Sequence, residues 1–255
     1  MPFPTVAGHK CHYVHRRLGS KAGPPVVFIH GAGGTHQHWL YQVRDVPRVP
    51  TYALDLPGHG RSEGPGEASI NSYSSWLMAF LDAVDLDQAV LVGHSMGGAI
   101  ALDAALRYPS RIAGLGLVAT GARLRVAPAI LEGILQDQEE AVRLICNWAY
   151  GPKAPEETVQ LGRRQMGETP AQVLHGDFVA CDRFDVLGRL KEIKSPTLIV
   201  CGAQDRMTPS KDPVYLQDHI AGATLHLVEG AGHMVMIEQP AAVVEALTLF
   251  LKGLS

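Results

Sequence analysis

The chain of 255 residues has few of the features that mark secreted, membrane-spanning or nucleic-acid-binding proteins. Its four cysteines form no C-x-x-C pair, so a disulfide framework is not indicated and a reduced, cytoplasmic protein is expected. Apolar runs such as 24–29 and 197–201 are too short to cross a bilayer, and no signal-peptide pattern opens the sequence. A formal net charge of −3 without a basic stripe argues against nucleic acid as a partner.

Hydrophobic residues make up 46% of the chain, which is enough for one large core domain with a modest insertion. Short apolar segments alternate with helical patterns, and this alternation predicts an α/β fold with a mostly parallel sheet. Five such segments have the near-continuous apolar character of a buried parallel strand: 26–29, 52–54, 89–92, 115–118 and 198–200. Segment 224–228 alternates more and is expected near an edge, and 10–17 is expected to form an antiparallel N-terminal edge.

One long region, from about 123 to 191, breaks this alternation because it contains helical patterns and no convincing strand. We therefore predict a helical cap, or lid, at 122–189, inserted into a core made of 1–121 and 190–255. Such an insertion would roof the crevice at the carboxyl ends of the parallel strands. The alternative is that these helices simply pack on the flank of the sheet.

The segment Gly93-His94-Ser95-Met96-Gly97 is a G-x-S-x-G motif between a predicted strand and a predicted helix. In this context the serine lies at a strained turn, and small residues are needed on both sides because strand and helix leave little room. The motif predicts that Ser95 is a nucleophile.

A serine nucleophile needs a base, and the fold's chain order of serine, acid and histidine selects among the 12 histidines. His233 lies in a glycine-rich loop between the last strand and the last helix, whereas His219 and His226 fall on a predicted helix and strand. We predict His233 as the base. His94 adjoins the serine and is expected to pack beside the site.

The acid is expected after a strand between the serine and the base, and Asp205 follows the strand at 198–200 and a glycine turn. A carboxylate there would hold the neutral tautomer of the histidine. Asp182 and Asp185 are the alternatives, but they lie inside the helical region. Asp55 precedes the serine and is expected to stabilise a loop.

Ester cleavage also needs donors for the oxyanion. The N–H of Met96, the residue after the nucleophile, is one candidate. The second is expected in the glycine-rich loop 30–34, where we favour Ala32 with Gly31 or Gly33 as alternatives. A phosphate-binding loop is a poorer interpretation because neither G-x-G-x-x-G nor G-K-[ST] is present. The substrate pocket is expected between core and lid, with five candidate residues: Gly31, His94, Trp148, Met207 and Met234.

Taken together, these motifs resemble those of the α/β-hydrolase superfamily over nearly the full length of the chain. The matching segments are 30–33, 55–62, 93–98, 196–205 and 230–233. The resemblance is to small capped bacterial carboxylesterases, and also to pimeloyl-carrier-protein methyl esterases, carbon–carbon hydrolases and cofactor-free haloperoxidases. It implies an eight-stranded core with the lid between the sixth and seventh strands. Haloalkane dehalogenases and epoxide hydrolases have aspartate where this chain has Ser95, so their alkyl-enzyme mechanism is disfavoured.

The expected function is hydrolysis of a small-molecule carboxylic ester through an acyl-enzyme on Ser95, with no metal or organic cofactor and no membrane partner. A homodimer is left open. One alternative is a carbon–carbon hydrolase that holds a substrate carboxylate with Arg123, Arg125, Arg163 or Arg164. Others are a haloperoxidase-like or lactonase activity, and more remotely a ligand receptor that retains the scaffold.

Overall fold

A computed structural model of the protein describes residues 3–16 and 23–254, and these residues form nine strands. The strands are β1 Thr5–Val6, β2 His9–Lys10, β3 Tyr13–Arg16, β4 Val26–Ile29, β5 Thr51–Leu54, β6 Ala89–His94, β7 Ile112–Val118, β8 Thr197–Gly202 and β9 Thr224–Val228. The main sheet has seven strands in the order β3-β5-β4-β6-β7-β8-β9. All neighbours in this sheet are parallel except β3 and β5.

Ten α-helices connect and cover the strands within the described residues. They are α1 Leu40–Asp45, α2 Ile70–Ala83, α3 Met96–Arg107, α4 Pro128–Gln136, α5 Gln138–Ala149, α6 Glu156–Gly167, α7 Ala171–Arg183, α8 Lys211–His219, α9 Val235–Glu238 and α10 Pro240–Lys252. Among the residues described, no helix has both the length and the apolar character needed to span a membrane.

The central strands are buried on both faces, as their apolar runs predict. Successive side chains of a strand point to opposite faces, so β4 supplies two separate cores. Val27 and Ile29 pack in the core that includes α2 and α3, whereas Val26 and Phe28 pack in the core that includes α10. The sheet is therefore covered by helices on each side, which confirms the predicted α/β architecture.

The prediction of an eight-stranded sheet is wrong for the described residues, since the main sheet has seven strands. The first strand, β1, pairs only with β2 in a separate two-stranded sheet. Ala7 and Gly8 have φ angles of 49° and 86°, so the chain turns back after two residues of strand and does not continue along β3.

Both predicted edges of the main sheet are present. Strand β9 lies at one edge, and β3 forms the antiparallel edge at the other. The predicted strand extended to Arg17, which lies outside the described residues.

The region between β7 and β8 contains four helices, α4 to α7, which we call the helical insertion. The chain enters and leaves it at one place, where the N–H of Val186 donates a hydrogen bond of 2.8 Å to the carbonyl of Ala122. An isolated bridge between Arg123 and Asp185 lies next to this bond. The region 123–191 is helical, as the sequence predicted, because α4 to α7 fill most of it.

Candidate active site

Four loops that follow parallel strands meet at the carboxyl edge of the sheet. The loop 30–34 follows β4, Ser95 follows β6, Asp205 follows β8, and His233 follows β9. Because parallel strands present their carboxyl ends at one edge, residues far apart in sequence are brought to a single site.

Ser95 lies at the turn between β6 and α3 with φ 51° and ψ −114°, which is a strained conformation for a residue with a side chain. A Cβ atom at Gly93 would lie 2.1 Å from the carbonyl oxygen of Gly97, and one at Gly97 would lie 2.4 Å from that of Ile29. The motif therefore needs its glycines for close packing of strand, turn and helix, as the sequence suggested.

The imidazole of His233 is held by the carboxylate of Asp205. Its Nδ1–H donates a hydrogen bond of 2.9 Å to Oδ2 of Asp205, which leaves Nε2 as the nitrogen able to accept a proton. The other oxygen, Oδ1, accepts the N–H groups of Met207 and Thr208 at 2.8 and 2.9 Å. The Thr208 hydroxyl donates to Oδ2 at 2.7 Å, so the carboxylate is fixed on every side.

Asp205 is only 6% exposed, and its buried charge is balanced by these donors. Burial, the largest single influence, would raise the pKa of Asp205, but the charge of His233 and the hydrogen bonds from His233 and Thr208 lower it to about 2. The acid is thus ionised at neutral pH. Cys201, on the preceding strand, is buried and its thiol pKa is raised to about 12 by burial, so it is poorly suited to act as a nucleophile.

The main chain of His233 is fixed on both sides of the residue. Its N–H donates to the carbonyl of Ala149 at 2.7 Å, at the end of α5 in the helical insertion. Its own carbonyl accepts a hydrogen bond of 3.0 Å from Nε2–H of His94. Burial, followed by the charge of His233, lowers the pKa of His94 well below its ordinary value, so His94 is neutral at pH 7.

Ser95 and His233 both line one cavity of about 380 Å³. The core contributes four further lining residues that were predicted as site residues from the sequence: Ala32, His94, Met207 and Met234. The helical insertion contributes apolar walls: Ile145, Ala149, Met166 and Phe178.

Two residues expected in the pocket do not line this cavity. Gly31 lies behind it, where a Cβ atom would be 2.8 Å from Nδ1 of His94. Trp148 is 58% exposed, because the buried stripe of α5 runs through Ile145 and Ala149. The buried residues of α5 recur at every third or fourth position, and this periodicity was the signal that could have predicted Ile145, instead of Trp148, as the buried residue.

The expected oxyanion donors are free to bind a ligand. Within residues 3–16 and 23–254, no hydrogen bond takes the N–H of Ala32 or that of Met96. The alternative donor at Gly33 is occupied, because its N–H donates to Oδ2 of Asp177 at 2.8 Å. The geometry therefore favours Ala32 over Gly33 at this position.

The other candidate acids have local roles. Oδ1 of Asp182 accepts the N–H of Val126 at 3.1 Å, and Oδ1 of Asp185 accepts that of Leu187 at 3.2 Å. Neither carboxylate has a bond to a histidine among the described residues.

Asp55 stabilises the loops around it, as expected. In the described part of the chain, Asp55, His12 and His36 are the three side chains whose spacing could suit a metal ion. Each imidazole Nδ1 lies 2.8 Å from a different oxygen of Asp55. The same carboxylate accepts the main-chain N–H groups of His36 and Arg61. Hydrogen bonding alone accounts for this cluster.

Three residues that position the site were not predicted from the sequence: Thr208, Ala149 and Asp177. A signal existed for Thr208, because an aspartate followed three residues later by threonine is a common side-chain-capped turn. Ala149 acts through its main-chain carbonyl, and Asp177 accepts a hydrogen bond from Gly33, which is 144 positions away in sequence. Neither residue therefore has a local sequence signature.

The sheet, the strained serine turn and the histidine–carboxylate pair define an α/β hydrolase. A family model described as "Alpha/beta hydrolase family" matches residues 26–246, and the chain belongs to this family. It is 31% identical over 252 residues to the dihydrolipoyllysine-residue acetyltransferase component of the acetoin cleaving system of Pseudomonas putida, covering 92% of this chain but only 65% of that relative.

A second relative is 2-hydroxymuconate semialdehyde hydrolase of Pseudomonas sp. strain CF600, 29% identical over 253 residues, with 87% of this chain and 84% of the relative covered. Among solved structures, a thermophilic esterase superposes with a TM-score of 0.88 at 36% identity, covering 99% of this chain and 97% of the other. The chain is a hydrolase of the α/β family whose relatives carry out different reactions.

Proposed function

We propose that this protein is a carboxylesterase that forms an acyl-enzyme on Ser95. The observation that carries the proposal is that Ser95 and His233 line one cavity while Nδ1–H of His233 is committed to Asp205. Nε2 is then the group that accepts the serine proton. The similarity to the thermophilic esterase supports ester cleavage over other reactions of the family.

In the first step Ser95 Oγ attacks the ester carbonyl carbon and its proton passes to Nε2 of His233. The carbonyl oxygen becomes an oxyanion that accepts hydrogen bonds from the N–H groups of Ala32 and Met96. The bond to the alcohol oxygen then breaks, and the proton on His233 passes to the departing alkoxide. Water next attacks the acyl carbon and gives a proton to His233. The bond to Ser95 Oγ then breaks, His233 returns the proton to Oγ, and the acid leaves.

The helical insertion acts as a lid over this chemistry. Its side chains Ile145, Met166 and Phe178 face the cavity and are apolar. They exclude water and favour an apolar acyl group, and the thioether of Met166 adapts to different shapes.

The test is hydrolysis of a short p-nitrophenyl ester by Ser95→Ala, with the exposed Ser110→Ala as a matched control. Ser95→Ala is expected to lower kcat by roughly 10³-fold or more while the far-UV circular dichroism stays unchanged. Ser110→Ala is expected to keep full activity. An active Ser95→Ala protein would refute the assignment.

A second candidate, carbon–carbon hydrolysis, is favoured by one observation. Arg123 and Arg125 line the cavity and would pair with a substrate carboxylate, whereas Arg163 and Arg164 lie against a different pocket. The hydrolase relative from strain CF600 is consistent with this reaction. Assaying a ring-cleavage product of catechol beside the p-nitrophenyl ester distinguishes the two, because a higher kcat/KM for the former would replace the ester proposal.

A further inference from the structure

The loop 30–34 is held by the helical insertion as well as by the core. The N–H of Gly33 donates to Oδ2 of Asp177 on α7 at 2.8 Å. The carbonyl of Gly33 accepts a bond of 3.3 Å from the hydroxyl of Thr169, in the turn before α7. Both hydrogen-bonding groups of this one residue are therefore committed to the insertion.

Asp177 is fully buried, and its carboxylate accepts hydrogen bonds from His59 and Tyr73 as well as from Gly33. Tyr73 donates to Oδ1 at 2.6 Å, and Nε2–H of His59 donates to Oδ2 at 2.8 Å. The other ring nitrogen of His59 donates to the carbonyl of Pro57 at 3.0 Å, so both nitrogens carry hydrogen and the ring is an imidazolium.

A buried carboxylate with these partners has one stable position. Burial alone would lower the pKa of His59, but the charge and hydrogen bond of Asp177 raise it above its ordinary value. The ion pair ties α7 to the loop after β5, and the same carboxylate oxygen reaches Gly33. Asp177 is thus a rigid anchor for Gly33.

Hydrogen bonds fix the peptide units on both sides of Ala32, and Asp177 acts on the one that follows it. The N–H of Gly33 fixes the peptide that follows Ala32. The carbonyl of Gly31, in the preceding peptide, accepts bonds from Nδ1–H of His30 at 2.8 Å and the N–H of Gly34 at 3.0 Å. In a planar trans peptide the carbonyl and the N–H point in opposite directions, so fixing one directs the other.

Close packing adds to the hydrogen bonds. Gly33 has φ 61°, and a Cβ atom there would lie 2.6 Å from Cδ1 of Leu174 on α7. The helical insertion therefore packs directly against the turn that carries Ala32. Without its contacts to α7, the loop 30–34 would gain conformations that this packing forbids.

We propose that Asp177 is a positioning residue for the N–H of Ala32 and that the helical insertion thereby sets the rate of the chemical step. This inference rests on the proposed ester hydrolysis. Because an oxyanion donor binds more strongly in the transition state than in the ground state, disturbing its position lowers kcat and leaves KM nearly unchanged.

The test uses Asp177→Asn, whose amide keeps the shape but replaces one accepting oxygen with an NH₂ group. With a p-nitrophenyl ester we expect kcat to fall roughly 10- to 100-fold, less than the roughly 10²- to 10³-fold loss that follows removal of a donor, with KM changed less than about twofold. Inhibition by a matching trifluoromethyl ketone is measured in parallel. This compound forms an oxyanion on the serine without turnover, so its affinity is expected to fall by a similar factor.

Asp182→Asn is the matched control, because it makes the same change on the same helix and its carboxylate bonds to Val126 instead of the loop. It is expected to keep kcat and inhibitor affinity. Thr169→Val removes the second bond to Gly33 and is expected to cause a smaller loss in the same direction, and it decides the question if Asp177→Asn does not fold.

Folded Asp177→Asn with wild-type kcat and inhibitor affinity would overturn the inference, as would equal losses in Asp182→Asn. If Asp177→Asn does not fold, wild-type values for Thr169→Val would overturn it. Hydrolysis that survives Ser95→Ala counts against the proposed function itself. Ser95-dependent hydrolysis that Asp177→Asn leaves intact counts against the role of Asp177 alone.

Discussion

Nε2–H of His94 donates a hydrogen bond of 3.0 Å to the main-chain carbonyl of His233, with the two ring centroids 4.7 Å apart. The residue that precedes the proposed nucleophile in sequence therefore holds the main chain of the proposed base. Nδ1 of His94 is buried and has no hydrogen-bond partner among the residues that the structure describes. The hydrogen bonding of the His94 ring to the site is thus the single bond to His233.

Replacing His94 with leucine is expected to lower kcat about fivefold, because a net hydrogen bond of about 1 kcal/mol that positions His233 is lost. Stability is expected to change little, since the substitution also removes the unpartnered Nδ1. His94→Gln can restore a donor and is expected to recover part of the activity. Steady-state kinetics measure both, and wild-type kcat in His94→Leu would show that this bond does not position the base.

Asp205→Asn tests the acid. The amide NH₂ would face Nδ1 of His233 and favour the tautomer with hydrogen on Nε2, which is unable to accept the serine proton. The expected loss in kcat is roughly 10⁴-fold at neutral pH, with little change in fold. Asp185→Asn, at the rejected alternative acid, is the control and is expected to keep activity. Similar kcat values for the two variants would contradict the assignment.

The depressed pKa of Asp205 also predicts how stability depends on pH. Its folded-state pKa of about 2 lies below the ordinary 3.8, so its charged form stabilises the fold. The contribution is about 2 kcal/mol, present above about pH 4 and lost as the pH falls towards about 2. Urea unfolding of wild type and Asp205→Asn is expected to show a difference in the free energy of unfolding that shrinks over this range. A difference that stays constant down to about pH 2 would be inconsistent with an ionised, stabilising carboxylate.

Gly93→Ala tests the packing of the serine turn. The added methyl group would lie 2.1 Å from the carbonyl oxygen of Gly97, and main-chain atoms have little freedom to move away. The free energy of unfolding is expected to fall by about 3 kcal/mol or more, and soluble yield with it. Gly188→Ala is the control, because a Cβ atom there has no neighbour within 4 Å among the described residues. Thermal unfolding measures both, and equal stability of the two variants would contradict the packing argument.

The parts of the site with local signatures were predictable from the sequence. Ser95 is marked by its flanking glycines, and Asp205 and His233 follow apolar strands in the chain order of the fold. Burial in the middle of a parallel sheet gives strands a continuous apolar pattern, so most of the sheet was predictable as well.

The remaining features depend on tertiary contacts. Asp177 joins Gly33 only because α7 lies on the loop after β4, and no local pattern reports that contact. Trp148 was expected in the pocket as a residue of the lid, but the direction of the buried stripe on α5 leaves it exposed. Strand β1 is not part of the main sheet because the chain turns at Ala7 and Gly8, and the positive φ angles of these residues were not apparent from composition.

The most direct test of the central claim is to find where a covalent inhibitor attaches. The protein is treated with a fluorophosphonate, digested, and its peptides analysed by mass spectrometry. We predict one adduct per chain, on the peptide that contains Ser95, with hydrolysis of the p-nitrophenyl ester lost in proportion to labelling and no adduct on Ser95→Ala. Full ester hydrolysis by protein labelled at Ser95, or an inactivating adduct at another residue, would contradict the account.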